Sequence, residues 1–204
     1  SILKKDIITD PSEAYKLTKN EFKEKYNLEM LKPLGFNNTY TLAVRKEDAE
    51  KYNLNTFSDL SKISNQMVLG ATYEFIGRDD GLIGLSKKYG MNFKDIKGMD
   101  SGLRYTAIDS KKTDVTDAFS TDGLLVAFDL KVLKDDKKFF PPYEAVPVVR
   151  ADTLKKYPEV KPLLDSLGGV LDDDTMRQLN YKCDKLGKDP DKVARNFLKS
   201  KGLI

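Results

Sequence analysis

The last third of this 204-residue chain holds a single strand-like run, and one strand cannot make a sheet. That run is Ala145–Val149, apolar and β-branched, with Pro147 marking it as an edge strand. The pattern after it predicts helices over 151–157, 160–167, 173–186 and 190–200, the last opened by Pro190 and stopped at Gly202. The strand must therefore take its partners from earlier in the chain.

Earlier segments alternate between the two periodicities. Residues 11–26 form an amphipathic helix, with Asp10 as N-cap and Pro11 at its first position. Strands are predicted at 39–44, 67–72 and 115–119, with an extended stretch at 91–96. Helices are predicted at 46–53, 81–89, 102–110 and 121–128. Asp79 and Asp80 read as caps of the second of these, and Ser120-Thr121-Asp122-Gly123 as the N-cap signature of the last. Such alternation implies a parallel-type α/β architecture. Repeats, low-complexity tracts and Pro/Gly-rich linkers are missing.

Composition removes several functions. There is no histidine and one cysteine, Cys183, so Ser-His or Cys-His catalysis, Cys/His zinc sites and internal disulfides are out. Cys183 itself reads as a small, partly buried helix residue. Charged residues are 33% of the chain but nearly cancel at +3, and the basic ones are dispersed, which argues against nucleic acid. Apolar runs are too short to span a bilayer, and Ser1-Ile2-Leu3-Lys4-Lys5 lacks the apolar core of a leader. No cofactor or metal is expected.

Three ring-bearing motifs and one arginine carry the chemistry. Tyr40 closes Gly35-Phe36-Asn37-Asn38-Thr39-Tyr40, Phe119 precedes Ser120-Thr121-Asp122-Gly123, and Tyr143 follows Phe139-Phe140-Pro141-Pro142. Arg78 stands where a strand passes into a helix, the edge at which open α/β sheets bind ligands. Ring faces attract quaternary ammonium, and a guanidinium pairs with carboxylate, so the set points to a pocket for a trimethylammonium zwitterion. Each residue also has a plainer reading. Tyr40, Phe119 and Phe139-Phe140 suit core packing, and Arg78 suits a surface ion pair with Glu74, Asp79 or Asp80. Asn37-Asn38-Thr39 matches a glycosylation acceptor by chance.

In the order and spacing of Gly35–Tyr40, Tyr73–Leu85, Phe119–Gly123, Asp135–Pro147 and Asp173–Asp184, the chain resembles the substrate-binding proteins of osmoprotectant ABC transporters. These are the glycine betaine/carnitine/choline binders, and the resemblance runs from about Asp10 to Ile204. It implies a bilobed, type II periplasmic-binding-protein-like α/β fold closing over its ligand. It implies cage roles for Tyr40, Phe119 (often tyrosine in the family) and Tyr143, and a carboxylate contact for Arg78. The family begins with a further segment supplying the first strands of lobe one and a fourth cage aromatic. The chain is thus expected to hold a complete second lobe at 38–141 and an incomplete first lobe at 1–37 and 142–204.

The function this implies is non-enzymatic: the extracytoplasmic, membrane-associated solute receptor of an importer. Its partners would be a small quaternary-ammonium ligand, ABC permease subunits and the N-terminal lobe segment. Membrane contact would come only through an anchor or fused permease. A ligand-sensing regulatory module on the same fold is the alternative. An enzyme using carboxylates alone would need two converging acidic groups, and the sequence offers no such pair.

Overall fold

The computed structural model describes residues 7–204, so the leader reading at 1–5 and the first six residues of the 1–37 segment lie outside the described residues. Helix α1 (Pro11–Tyr26) starts as its sequence dictates. Asp10 accepts from the Glu13 amide at 2.9 Å, and Asn27 ends the helix in the left-handed conformation (φ 54°). Strand β1 (Leu28–Met30) follows, then β2 (Tyr40–Arg45), α2 (Lys46–Tyr52) and α3 (Phe57–Ser61). The middle of the chain runs β3 (Val68–Thr72), α4 (Tyr73–Gly77), α5 (Gly84–Tyr89), β4 (Asp95–Met99) and α6 (Ser101–Asp109). Next come β5 (Val115–Phe119), α7 (Gly123–Ala127), β6 (Leu130–Val132) and β7 (Val148–Arg150). Four helices close the chain: α8 (Ala151–Lys156), α9 (Val160–Asp165), α10 (Asp173–Asp184) and α11 (Pro190–Ser200).

Five strands form one sheet in the order β4-β3-β5-β2-β6. The expectation of a parallel-type sheet is corrected here, because β3 runs parallel to β4 and β5 but β2 runs antiparallel to β5 and β6. Helices separate β3 from β4 and β4 from β5, which is the condition for parallel pairing. β2 enters from outside the sheet and obeys no such crossover. Alternation along β2 sends Leu42 and Val44 to one face and Ala43 to the other. The larger core lies on the Leu42 side with Phe57, Leu60, Leu69, Phe75 and Leu85, all fully buried. The opposite face packs Tyr105, Ile108, Ala118 and Leu125 beneath α6 and α7.

The strand predicted at 145–149 forms later, at β7, and leaves Pro147 outside it. Among the described residues it pairs only with β1, antiparallel, in a two-stranded sheet with free edges. The same two stretches of chain continue side by side toward the larger sheet. Leu34 donates to the Ala145 carbonyl (2.9 Å), Ala145 to Phe36 (3.2 Å) and Asn38 to Tyr143 (3.1 Å). Gly35 sits among them at φ 114°, and a Cβ there would fall 2.3 Å from the Leu171 carbonyl oxygen.

Helix α10, from the last third of the chain, packs on the 38–141 segment. It lies against α7 so closely that a Cβ on Gly123 would fall 2.5 Å from the Tyr181 amide nitrogen. Arg177 and Asn180 of α10 donate to the carbonyls of Ser120 (2.7 Å) and Thr121 (2.8 Å).

Candidate functional site

Tyr40 opens β2 and Phe119 ends β5, and the two are register partners across the antiparallel pair. Their ring centroids are 4.5 Å apart with a 32° interplanar angle. Tyr40 is also flanked by Phe75 at 5.5 Å and Phe140 at 5.8 Å. Phe140 is buried and belongs to the core, as its packing reading had it. Burial, then the Glu74 carboxylate, push the Tyr40 phenol above its ordinary value, while Arg78 pulls it back.

Arg78 follows α4, but it is not free. Its Nε and Nη2 donate to the two carboxylate oxygens of Asp80 at 2.7 Å each, and Nη1 donates to Glu74 at 3.0 Å. The expectation that Asp79 and Asp80 cap a helix is corrected in one respect: both stand in the first turn of a short π-helical stretch, Asp79–Ile83, that runs into α5, but that turn has no side-chain cap bond, and Asp80 is the other half of a bidentate pair. The Arg78 side chain is still 44% exposed, so the pair lies open to solvent.

Tyr143 stands apart from the ring stack and is 45% exposed. Its amide donates to the Asn37 side-chain oxygen, and its carbonyl accepts from Asn38. It is thus fixed through its backbone to the strand that leads into Tyr40. Ser120 completes this junction, its hydroxyl donating to the Asn37 carbonyl and accepting from the Thr39 amide. The structure brings Tyr40 and Phe119 into contact, leaves Arg78 paired with Asp80 and Glu74, and holds Tyr143 on the neighbouring crossing segment.

Sequence reasoning missed the polar group beneath the rings. Asp122 occupies the N-cap position of α7, yet its side chain makes no cap bond. It accepts instead from the Phe119 amide (3.1 Å), the Tyr105 hydroxyl (2.6 Å) and Arg104 (3.0 Å). Arg104 also reaches Asp117 at 3.2 Å, and both of these residues are buried. Burial pushes the Asp117 carboxyl up, opposed by Arg104 and by hydrogen bonds from Thr72. An aspartate within the otherwise uncharged β5 run Val115–Phe119 was the available signal.

Among the described residues no acidic, cysteine or histidine cluster could hold a metal, and no helix is long and apolar enough to cross a membrane.

The architecture is that of the bilobed solute-binding proteins, here with a five-stranded and a two-stranded sheet among the described residues. Residues 7–200 match the substrate-binding domain of ABC-type glycine betaine transport systems, and the chain belongs to that family. It is 44% identical over 189 residues to the ergothioneine transport permease/ergothioneine binding protein EgtU of Helicobacter pylori, covering 93% of this chain and 34% of that protein. It is 41% identical over 197 residues to the carnitine transport binding protein OpuCC of Listeria monocytogenes, covering 96% and 64%. A crystal structure of a glycine betaine/carnitine/choline ABC transporter superposes with a TM-score of 0.95 at 42% identity, covering all of this chain and 75% of that one. The chain thus spans about one third to two thirds of the curated relatives it matches.

Proposed function

We propose that this chain is the larger part of the extracytoplasmic solute receptor of an ABC importer, and that it takes a small trimethylammonium zwitterion. The observation that carries the reading is the Tyr40–Phe119 ring pair where β2 begins and β5 ends, with the Arg78 charge acting on the Tyr40 phenol. Aromatic faces favour a methylated ammonium, because it gives up few hydrogen bonds on leaving water. A guanidinium favours the carboxylate at the other end. Glycine betaine, carnitine and ergothioneine all carry both groups, and the relatives are named for these compounds.

Tyr143 contributes a further ring face from the crossing segment, and Arg78 exchanges Asp80 for the ligand carboxylate. Residues 38–141 act as the second lobe, while 1–37 and 142–204 belong to the first. The permease subunits take the ligand from the closed receptor, which stays outside the cytoplasm by an anchor or a fused permease. Binding without chemical turnover is the whole activity.

Isothermal titration of the full-length protein with glycine betaine, carnitine, ergothioneine and choline tests this. A micromolar constant, about −8 kcal/mol, is expected for at least one zwitterion. Heats at the dilution level for all four would overturn the reading.

A further inference from the structure

Arg104 joins two aspartates, and each aspartate holds the backbone of a segment whose ring flanks Tyr40. On one side Asp122 Oδ2 takes the Phe119 amide at 3.1 Å, while the Asp122 amide donates to the Phe119 carbonyl at 3.0 Å. The Phe119 peptide is therefore clasped from both ends of a tight turn. The ring it carries lies 4.5 Å from Tyr40. On the other side Asp117 takes the Thr72 amide at 3.0 Å and the Thr72 hydroxyl at 2.9 Å. That hydroxyl in turn accepts from the Phe75 amide at 3.2 Å, and the Phe75 ring lies 5.5 Å from Tyr40.

Burial makes the arrangement demanding. Arg104 is 4% exposed and Asp117 is fully buried, so neither charge can turn to water if its partner leaves. The Tyr105 hydroxyl, 2.6 Å from Asp122 Oδ2, fixes that carboxylate from the α6 side. A group this costly to bury holds one geometry or fails, which is the property a positioning device needs.

We infer that the Arg104–Asp117–Asp122 cluster, with Arg104 and Asp117 buried and Asp122 partly so, sets the ring geometry of the ligand site, acting through Phe119 and Phe75 without touching ligand. The inference rests on the proposed function for the ligand itself, but its geometric half does not. Asp122 is the informative position, because the Phe119, Tyr105 and Arg104 bonds all end on the single oxygen Oδ2. Asparagine can present one oxygen to the same three donors, whereas alanine removes all three.

The test is a double-mutant cycle in the full-length protein with glycine betaine as the titrant, beside NMR of the Tyr40 ring protons without ligand. Phe119→Ala should weaken binding roughly tenfold. Asp122→Ala should cost about as much alone and less than about twofold in the Phe119→Ala background. Asp122→Asn should restore most of the affinity. In the unliganded protein, Asp122→Ala should shift the Tyr40 ring protons as the Phe119 ring moves, while Asp122→Asn leaves them near wild type. An undiminished loss from Asp122→Ala in the Phe119→Ala background would reduce the cluster to general stability. Unchanged Tyr40 ring shifts in Asp122→Ala would overturn the inference whether or not betaine binds. Absence of betaine binding by the wild type with the NMR shifts as expected would count against the proposed ligand and support the positioning role.

Discussion

Tyr40 and Phe119 meet as register partners at the very end of the β2–β5 ladder, where the sheet stops and the two crossing segments begin. Both rings stand where the five-stranded sheet passes into the paired stretches that lead to β1 and β7. The antiparallel run of β2 produces this, since it brings the first residue of β2 opposite the last of β5.

If the Tyr40 ring face is what binds, its hydroxyl matters less. Tyr40→Ala should weaken glycine betaine by about 1–2 kcal/mol, and Tyr40→Phe by less than half of that. Titration calorimetry of the two variants decides it. Equal losses would assign the effect to the hydroxyl.

Arg78 begins in competition with itself. Arg78→Ala should weaken glycine betaine or carnitine more than choline, which has no carboxylate to lose. Asp80→Asn should move the betaine-to-choline affinity ratio the other way, because it releases the fork that Asp80 occupies at two 2.7 Å contacts. A ratio unchanged in both variants would leave Arg78 as a surface ion pair, and such pairs contribute little.

The contact between α7 and α10 depends on a missing side chain. Gly123→Ala should lower the melting temperature, because the new methyl would sit 2.5 Å from the Tyr181 backbone nitrogen, which cannot swing aside. Gly102→Ala in α6 is the control. Nothing lies within 4 Å of its Cβ position, and alanine should be neutral or stabilise by about 0.5–1 kcal/mol. Thermal denaturation of both reads the difference, and similar shifts would contradict it.

Acid should act on the capping box of α3. The Thr56 hydroxyl and the Lys62 ammonium hold the Asp59 carboxyl down at about 2, and the Asn55 and Thr56 amides add to this. Its unfolded value is about 3.9, so the folded state binds the proton more weakly. The resulting stabilisation is present above pH ~4 and lost as pH falls toward ~2. Asp59→Asn should be less stable than wild type at pH 7, with the gap closing between those values. Urea melts at pH 7, 4 and 2.5 would show it, and a gap independent of pH would refute the assignment.

Local chemistry was written in the sequence. Asp10 with Pro11, and Asp189 with Pro190, start helices where their caps require it, each aspartate accepting from the third residue on at 2.9 Å. The lone C-terminal strand did have to borrow a partner, and β1 supplies it. The absence of histidine removed histidine-based catalysis and zinc sites before any fold was known. Two of the ring-bearing motifs do come together, at Tyr40 and Phe119.

Tertiary structure decided what depends on partners distant in sequence. Strand direction could not be read locally, because β2 has the same composition whether it runs with β5 or against it. Nor could the fate of short-range charges. Asp80 and Asp122 both stand at helix starts, where capping is the default for a carboxylate; Asp80 takes the neighbouring Arg78, a pairing the sequence allowed, whereas Asp122 turns to Arg104, which only the fold brings to it. A guanidinium offers a carboxylate a full opposite charge and several N–H donors, more than the backbone amides of a helix start present. Periodicity and caps are properties of a few consecutive residues and survive in the sequence. The pairing of buried charges and the facing of rings across a sheet exist only once the chain has closed.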